Sequence, residues 1–159
     1  MTCVAVDLGC AAHGGYNSIQ DLIDVFDPDI LYGFDPAAET ERYFIGDTHV
    51  IIEKKAAWID DGGVSFHFDN EHPTASRVAP SQVYVPCFDF PKWIEKHSPG
   101  NYLIVKMDIE GAEFDILTRM IATGADGAID ELLVEWHGNP EEAALISRRL
   151  SCSVGEWWM

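Results

Sequence analysis

Basic residues are scarce in this chain of 159 residues, which has 10 lysines and arginines against 27 aspartates and glutamates. The formal net charge of −17 leaves no basic footprint, so we expect neither a nucleic acid nor an anionic membrane as a partner. No apolar stretch approaches the length of a membrane span, and no secretory signal pattern is found at the start. These absences favour a soluble, cytoplasmic protein.

Cysteine is also sparse. Its four residues, Cys3, Cys10, Cys87 and Cys152, form neither a C-x-x-C pair nor a metal-ligand spacing. Strand-like contexts such as Thr2-Cys3-Val4 predict buried free thiols in a reducing compartment. Hydrophobic residues, by contrast, are abundant and make up 47% of the chain. The length suits a single domain spanning residues 1–159.

The hydrophobic pattern alternates between strand-like runs and segments of helical spacing. It predicts strands at 3–6, 30–34, 49–53, 64–68, 83–86, 102–107, 132–136 and 154–159. It predicts helices at 18–26, 37–44, 91–97, 112–122 and 140–150, and a loop at 69–82. Such alternation is typical of an α/β fold with a doubly wound, mostly parallel sheet.

The strand at 102–107 is followed at once by carboxylates, in the string Lys106-Met107-Asp108-Ile109-Glu110-Gly111-Ala112-Glu113. In an open α/β sheet, ligands bind beyond the carboxyl ends of the strands. These acids therefore mark a candidate active site.

The first predicted strand ends at Asp7 and leads into a glycine-bearing loop before a helix, an arrangement that lets a ligand approach the backbone. The G-x-G-x-x-G spacing of a dinucleotide site is absent, which disfavours a nicotinamide oxidoreductase. Asp35 ends the second strand, where an acid accepts hydrogen bonds from ribose hydroxyls, although a turn acid before Pro36 is the alternative. Together these features favour a nucleoside-binding site.

The chain resembles the FkbM-type S-adenosylmethionine-dependent methyltransferases. The resemblance rests on five strings in the family's order: Val6-Asp7-Leu8-Gly9, Gly33-Phe34-Asp35-Pro36, Ala56-Ala57-Trp58-Ile59-Asp60, the string from Lys106 to Glu113, and Val134-Glu135-Trp136-His137. It implies a short version of the Rossmann-like class I methyltransferase fold. It also implies methyl transfer to a hydroxyl of a glycan or small molecule, with S-adenosylmethionine as cofactor.

By this resemblance, the first loop holds the methionine part of the cofactor, Asp35 binds the ribose, and Ala57 and Trp58 flank the adenine. Plain core packing is the alternative for Trp58. The implied cofactor-binding residues are Asp7, Gly9, Cys10, Ala11, Tyr16, Asn17, Ser18, Asp35, Pro36, Ala57, Trp58 and Asp108.

Attack by a hydroxyl requires removal of its proton, for which the catalytic candidates are Asp108, Glu110 and His137. His137 has the alternative of only capping a strand end, and Glu113 is better explained by a helix N-terminus than by catalysis. We expect no resident metal. A divalent ion at Asp108, Glu135 and His137 remains a weaker alternative.

Two departures from the family pattern keep a second function open. Ala11 stands where the family usually has asparagine, and Gly14 comes one place late, which indicates either a different loop shape or a weaker cofactor site. The chain begins at the first strand and stops near the sixth of the seven strands that a complete methyltransferase sheet normally has, so we expect that elements covering the acceptor are missing or come from a partner in a homo-oligomer. The alternative is therefore a degenerate cofactor-binding or scaffold domain without catalysis.

Overall fold

The computed structural model describes residues 1–11, 17–68, 76–80 and 83–157. The strands in these ranges are β1 Thr2–Leu8, β2 Ile30–Phe34, β3 Glu41–Ile45, β4 Thr48–Glu53, β5 Ala56–Trp58, β6 Gly62–Phe68, β7 Ser76–Val78, β8 Val83–Asp89, β9 Asn101–Met107, β10 Glu131–Val134 and β11 Ser153–Glu156. The α-helices are α1 Ser18–Phe26, α2 Phe90–His97, α3 Glu113–Thr123 and α4 Pro140–Ser147, and Ala125–Ala128 form a short 3₁₀ helix.

The main sheet has seven strands in the order β11-β10-β9-β1-β2-β4-β3. All neighbouring pairs are parallel except the hairpin of β3 and β4 at one edge. From β1, the chain first builds one half of the sheet through β2 and β4, and later builds the other half through β9, β10 and β11. The strand order therefore reverses between β1 and β9, which is where open α/β sheets bind ligands.

Helices cover both faces of this sheet because each buried strand is apolar on both sides. Residues of α1 such as Leu22 pack with Ala5 and Leu31 on one face. On the other face, residues of α2, α3 and α4 join Val4, Val6 and other strand residues in the largest core cluster. The predicted α/β architecture with a mostly parallel sheet is confirmed.

A second, four-stranded sheet has the order β5-β8-β6-β7. It meets the main sheet beside the end of β2, where the ring of Phe88 lies 4.5 Å from that of Phe34, centroid to centroid. Ala57 of β5 belongs to the same core cluster as these two rings. The small sheet is thereby held near the carboxyl edge of the main sheet.

Several local predictions are corrected. Residues 41–45 are strand β3 and not part of a helix at 37–44, because their backbone pairs with the edge strand β4. This strand brings the main sheet to seven strands instead of six. Residues 76–78, predicted as loop, form β7 against β6. The last helix ends at Ser147 rather than 150, and the last strand ends at Glu156.

Helix caps follow local side-chain chemistry. Asn17 caps α1 by accepting the N–H of Gln20, and Asp89 caps α2 just before Phe90 and Pro91. The four cysteines are free thiols as predicted, with Cys10 and Cys87 buried and the other two half-buried.

Within the described ranges, no helix combines the length and apolar character needed to cross a bilayer.

Candidate active site

Four residues that directly follow parallel strands form the carboxyl edge of the sheet. They stand in register because each donates its backbone N–H to the carbonyl oxygen of the last residue of a neighbouring strand. These bonds are Gly9 to Phe34 O at 3.0 Å, Asp35 to Glu53 O at 3.3 Å, Asp108 to Leu8 O at 3.0 Å and Glu135 to Met107 O at 2.9 Å. The sheet thus brings the predicted residues Gly9, Asp35 and Asp108 to one edge.

Gly9 lies where β1 leaves the sheet, with φ of +86°. A Cβ at this position would lie 1.8 Å from the backbone oxygen of Asp108. Only glycine allows the two strand ends to approach so closely. The contact fixes the first loop against the acidic end of β9.

Behind this edge lies a buried ion pair between Asp7 and Lys106, neither of which has any exposed surface. The Lys106 Nζ atom lies 3.0 Å from Asp7 Oδ1 and 3.5 Å from Asp108 Oδ2, and it donates to Gly9 O at 3.1 Å. Ser18 Oγ donates to Asp7 Oδ2. Asp7 Oδ1 has the ammonium as its ionic neighbour, but no described group gives it a hydrogen bond of good geometry.

The ammonium of Lys106 therefore ties together β1, its loop and the end of β9. Asp7 has no exposed surface and supports this loop from the interior of the protein. Its neighbour Cys10 is also buried, and burial, together with Asp7 and Asp35, raises the pKa of the Cys10 thiol. That thiol consequently stays protonated.

Asp35 is buried, with 6% of its surface exposed, at the end of β2. Its Oδ2 accepts the N–H of Ala11 at 3.2 Å, and its Oδ1 accepts the N–H of Ala37 at 2.7 Å. Burial raises the pKa of Asp35, and these two N–H groups oppose the rise. Each carboxylate oxygen keeps a second lone pair for a ligand hydroxyl. Asp35 thus acts both as the turn acid before Pro36 and as an anchor for the first loop.

His137 lies among four carboxylates beyond the ends of β9 and β10. Its Nδ1 lies 3.0 Å from Oε1 of the fully buried Glu113. Its Nε2 lies 3.8 Å from Asp108 Oδ1, 3.9 Å from Glu110 Oε1 and 3.5 Å from Glu135 Oε1. The hydrogen bond with Glu113 raises the pKa of His137 to about 9, with burial opposing. The imidazole is therefore protonated at neutral pH.

The turn after β9 brings Glu110 to this cluster through left-handed backbone. Glu110 has φ of +55° and the next residue, Gly111, has φ of +105°. Glu113 holds the turn by accepting the N–H of Ile109 at 2.9 Å and that of Gly111 at 2.8 Å. Burial raises the pKa of the Glu110 carboxyl, while His137 opposes the rise.

Ala57 and Trp58, which the family resemblance places beside the adenine, lie on strand β5 of the small sheet. Ala57 is buried, and Trp58 is half-buried and packs against both the main core and the core of the small sheet. Packing therefore accounts for much of the Trp58 side chain. Tyr16 and the rest of residues 12–16 lie outside the described residues.

Sequence reasoning missed two residues that the structure places at the centre of the site. Lys106 has no predicted role of its own, although a lysine inside an apolar run signals a buried partner. Glu113 does begin α3, as predicted, but its carboxylate also orients His137. The spacing from Glu113 to His137 carries no periodic signal that would have revealed this contact.

Open α/β sheets generally bind ligands at such a switch point, and acidic residues there suit a ligand with positive charge or hydroxyl groups. The family described as Methyltransferase FkbM domain matches residues 20–156. The chain belongs to this family, which confirms the predicted resemblance to FkbM-type methyltransferases and the methyltransferase class. Comparisons with curated proteins and with solved structures gave no match. The family match begins after β1, so the roles of Asp7 and Gly9 rest on the geometry described above.

Proposed function

We propose that this protein is an S-adenosylmethionine-dependent methyltransferase of Rossmann-like class I type, which methylates a hydroxyl oxygen of a glycan or small molecule. The observation that carries this proposal is the switch point between β1 and β9, where Gly9, Asp35 and Asp108 share one edge in a chain of the FkbM family. Such an edge is the general ligand site of open α/β sheets.

The residues at this edge fit the cofactor by charge. S-Adenosylmethionine carries positive charge at its sulfonium and its ammonium, and the edge presents Asp35 and Asp108 with Glu110 nearby. Lys106 neutralises Asp7 beneath the site without covering the carboxylate Oδ1 of Asp108. Asp35 would accept the ribose hydroxyls with its remaining lone pairs, and the loop of Cys10 and Ala11 would face the methionine part.

The remaining predicted cofactor contacts belong to the same proposal. Asn17 and Ser18 begin α1 beside the loop, and Ser18 is already engaged with Asp7. Pro36 and Trp58 would bound the adenosine between the end of β2 and the small sheet. Tyr16 is also proposed to contact the cofactor.

The cofactor, when bound, supplies a methyl group activated by the sulfonium. The protein then has to position the acceptor hydroxyl in line and remove its proton. We propose that Asp108 or Glu110 accepts this proton. His137 already carries a proton at neutral pH, so its contribution is positive charge near the developing alkoxide rather than proton abstraction.

Calorimetry with S-adenosylmethionine, S-adenosylhomocysteine and NAD tests the cofactor assignment. We expect both sulfur compounds to bind and NAD not to bind. Failure of both to bind would refute the proposal. Transfer of a radiolabelled methyl group to a panel of hydroxylated sugars and small molecules then tests catalysis. Binding without transfer to any of them supports a scaffold domain that has lost activity.

A further inference from the structure

We propose that Asp108, Glu110 and His137 form a binding site for a divalent metal ion of the Mn²⁺ type, contrary to the expectation from sequence. One donor atom from each residue lies within 4.8 Å of the other two. Six ligands at about 2.1 Å around an ion are separated by about 3 to 4 Å. The three side chains are therefore close to coordinating distance before any ion binds.

The orientation of His137 supports this inference. Glu113 contacts Nδ1 and is itself held by two backbone N–H groups, so the ring is fixed with Nε2 turned to Asp108 and Glu110. A histidine that donates one ring N–H to a buried carboxylate and offers the other nitrogen is the usual arrangement around protein-bound metals.

Carboxylate oxygens that face His137 remain available as ligands for an ion. Asp108 directs Oδ2 to Lys106 and Oδ1 to the imidazole. Glu135 adds a further oxygen 3.5 Å from the same ring nitrogen. Coordination through Nε2 releases the proton that the imidazole carries at neutral pH, and the surrounding carboxylates hold an excess of negative charge that a divalent cation would offset.

The donor set indicates the kind of ion. Two carboxylates with one imidazole suit Mn²⁺, which binds both oxygen and nitrogen ligands. Mg²⁺ prefers oxygen ligands alone, and ions that prefer thiolate ligands would find no sulfur among these three residues. The side chains of Asp108, Glu110 and His137 are 23%, 36% and 24% exposed, so an ion can enter from solvent. Three protein ligands leave positions for water or for an oxygen of a small molecule. Binding of the ion does not depend on the proposed methyl transfer.

Titration of Mn²⁺ into the full chain, stripped beforehand with a chelator, tests the site by the electron paramagnetic resonance of free Mn²⁺. We expect one bound ion per chain. Glu110→Gln and His137→Gln should each weaken binding about tenfold or more, because each removes one ligand. Glu142→Gln, an exposed acid on α4, removes the same charge as Glu110→Gln and should change affinity less than about twofold.

Pulsed resonance of the wild-type protein with bound Mn²⁺ gives a readout that needs no variant. A nitrogen coupling from one imidazole is expected. No binding, equal affinity in all variants, or bound Mn²⁺ without nitrogen coupling would each overturn the proposal, since surface carboxylates alone would then explain any binding. If His137→Gln fails to fold, the nitrogen coupling and the comparison of Glu110→Gln with Glu142→Gln decide.

Discussion

Lys106 and Asp7 are direct neighbours on adjacent parallel strands, and their charged groups meet 3.0 Å apart with no exposed surface on either side chain. A buried ion pair of this kind adds little net stability, but removing one partner leaves the other charge unpaired in the interior. The pair sits directly beneath the contact of Gly9 with Asp108. It therefore connects the stability of the core with the shape of the candidate site.

Replacing Lys106 by methionine should destabilise the protein by about 3 to 5 kcal/mol, because Asp7 is left as a buried, unpaired carboxylate. The double variant Asp7→Asn with Lys106→Met should lose less stability than the sum of its two single variants. Chemical denaturation measures both. Lys54→Met is the control, since Lys54 forms an exposed pair with Glu39 and should cost under about 1 kcal/mol. Similar losses from Lys54→Met and Lys106→Met would contradict the buried-pair interpretation.

Gly9→Ala should prevent β1 from meeting the end of β9, because the added Cβ would collide with the Asp108 oxygen. Gly46→Ala is a matched control: Gly46 also has a positive φ, of +57°, but no described atom lies within 4 Å of its added Cβ. The control should lose only about 1 to 2 kcal/mol. Thermal unfolding is expected to show a clearly larger loss for Gly9→Ala, and equal losses would argue against the close contact.

Asp35→Ala should weaken S-adenosylmethionine binding markedly, since the ribose loses its acceptor and the Ala11 N–H loses its anchor. Asp29→Ala is the control. Asp29 also accepts a backbone N–H, from Cys3, but it precedes β2 and lies at the opposite edge of the sheet. Calorimetry should show a large loss of affinity for Asp35→Ala and almost none for Asp29→Ala. Unchanged affinity in Asp35→Ala would refute the ribose assignment.

Asp108→Asn should lower turnover more than cofactor affinity, if the carboxylate acts in the transition state of methyl transfer. The amide keeps the size of the side chain but loses the negative charge that we propose faces the sulfonium, and it cannot accept a proton. Parallel measurement of kcat with the best acceptor and of cofactor binding separates the two effects. Equal losses in both would assign Asp108 to cofactor positioning only.

His137 should stabilise the chelator-treated protein in acid and lose this effect in base. Its pKa in the folded protein, about 9, lies above the ordinary value of 6.5, so the folded state holds the proton more tightly. The stabilisation is complete below pH 6.5 and disappears as the pH rises to about 9. The difference in unfolding free energy between wild type and His137→Gln, followed over this range, should therefore shrink with rising pH. A difference that is constant with pH would contradict the raised pKa.

Much of the fold could be predicted from local patterns. Apolar runs marked β1, β2, β4 and β9 because strands buried on both faces are apolar throughout. Strand β3 was missed because alanine and glutamate around it favour a helix, and only pairing with β4 makes it extended. For the small sheet, only separate strands could be predicted, because the pairing that joins them connects distant parts of the chain.

For the site, local patterns were enough to predict which residues stand at strand ends: Gly9, Asp35 and Asp108 follow apolar runs, and strand ends in a parallel sheet share one edge. Which side chains contact one another at these strand ends depends on the order of the strands in the folded sheet. Lys106 meets Asp7 because β9 lies beside β1, and His137 meets Glu113 because β10 lies beside β9. Strand order is a global property of packing, so neither the buried ion pair nor the carboxylate–histidine cluster can be read from local spacing.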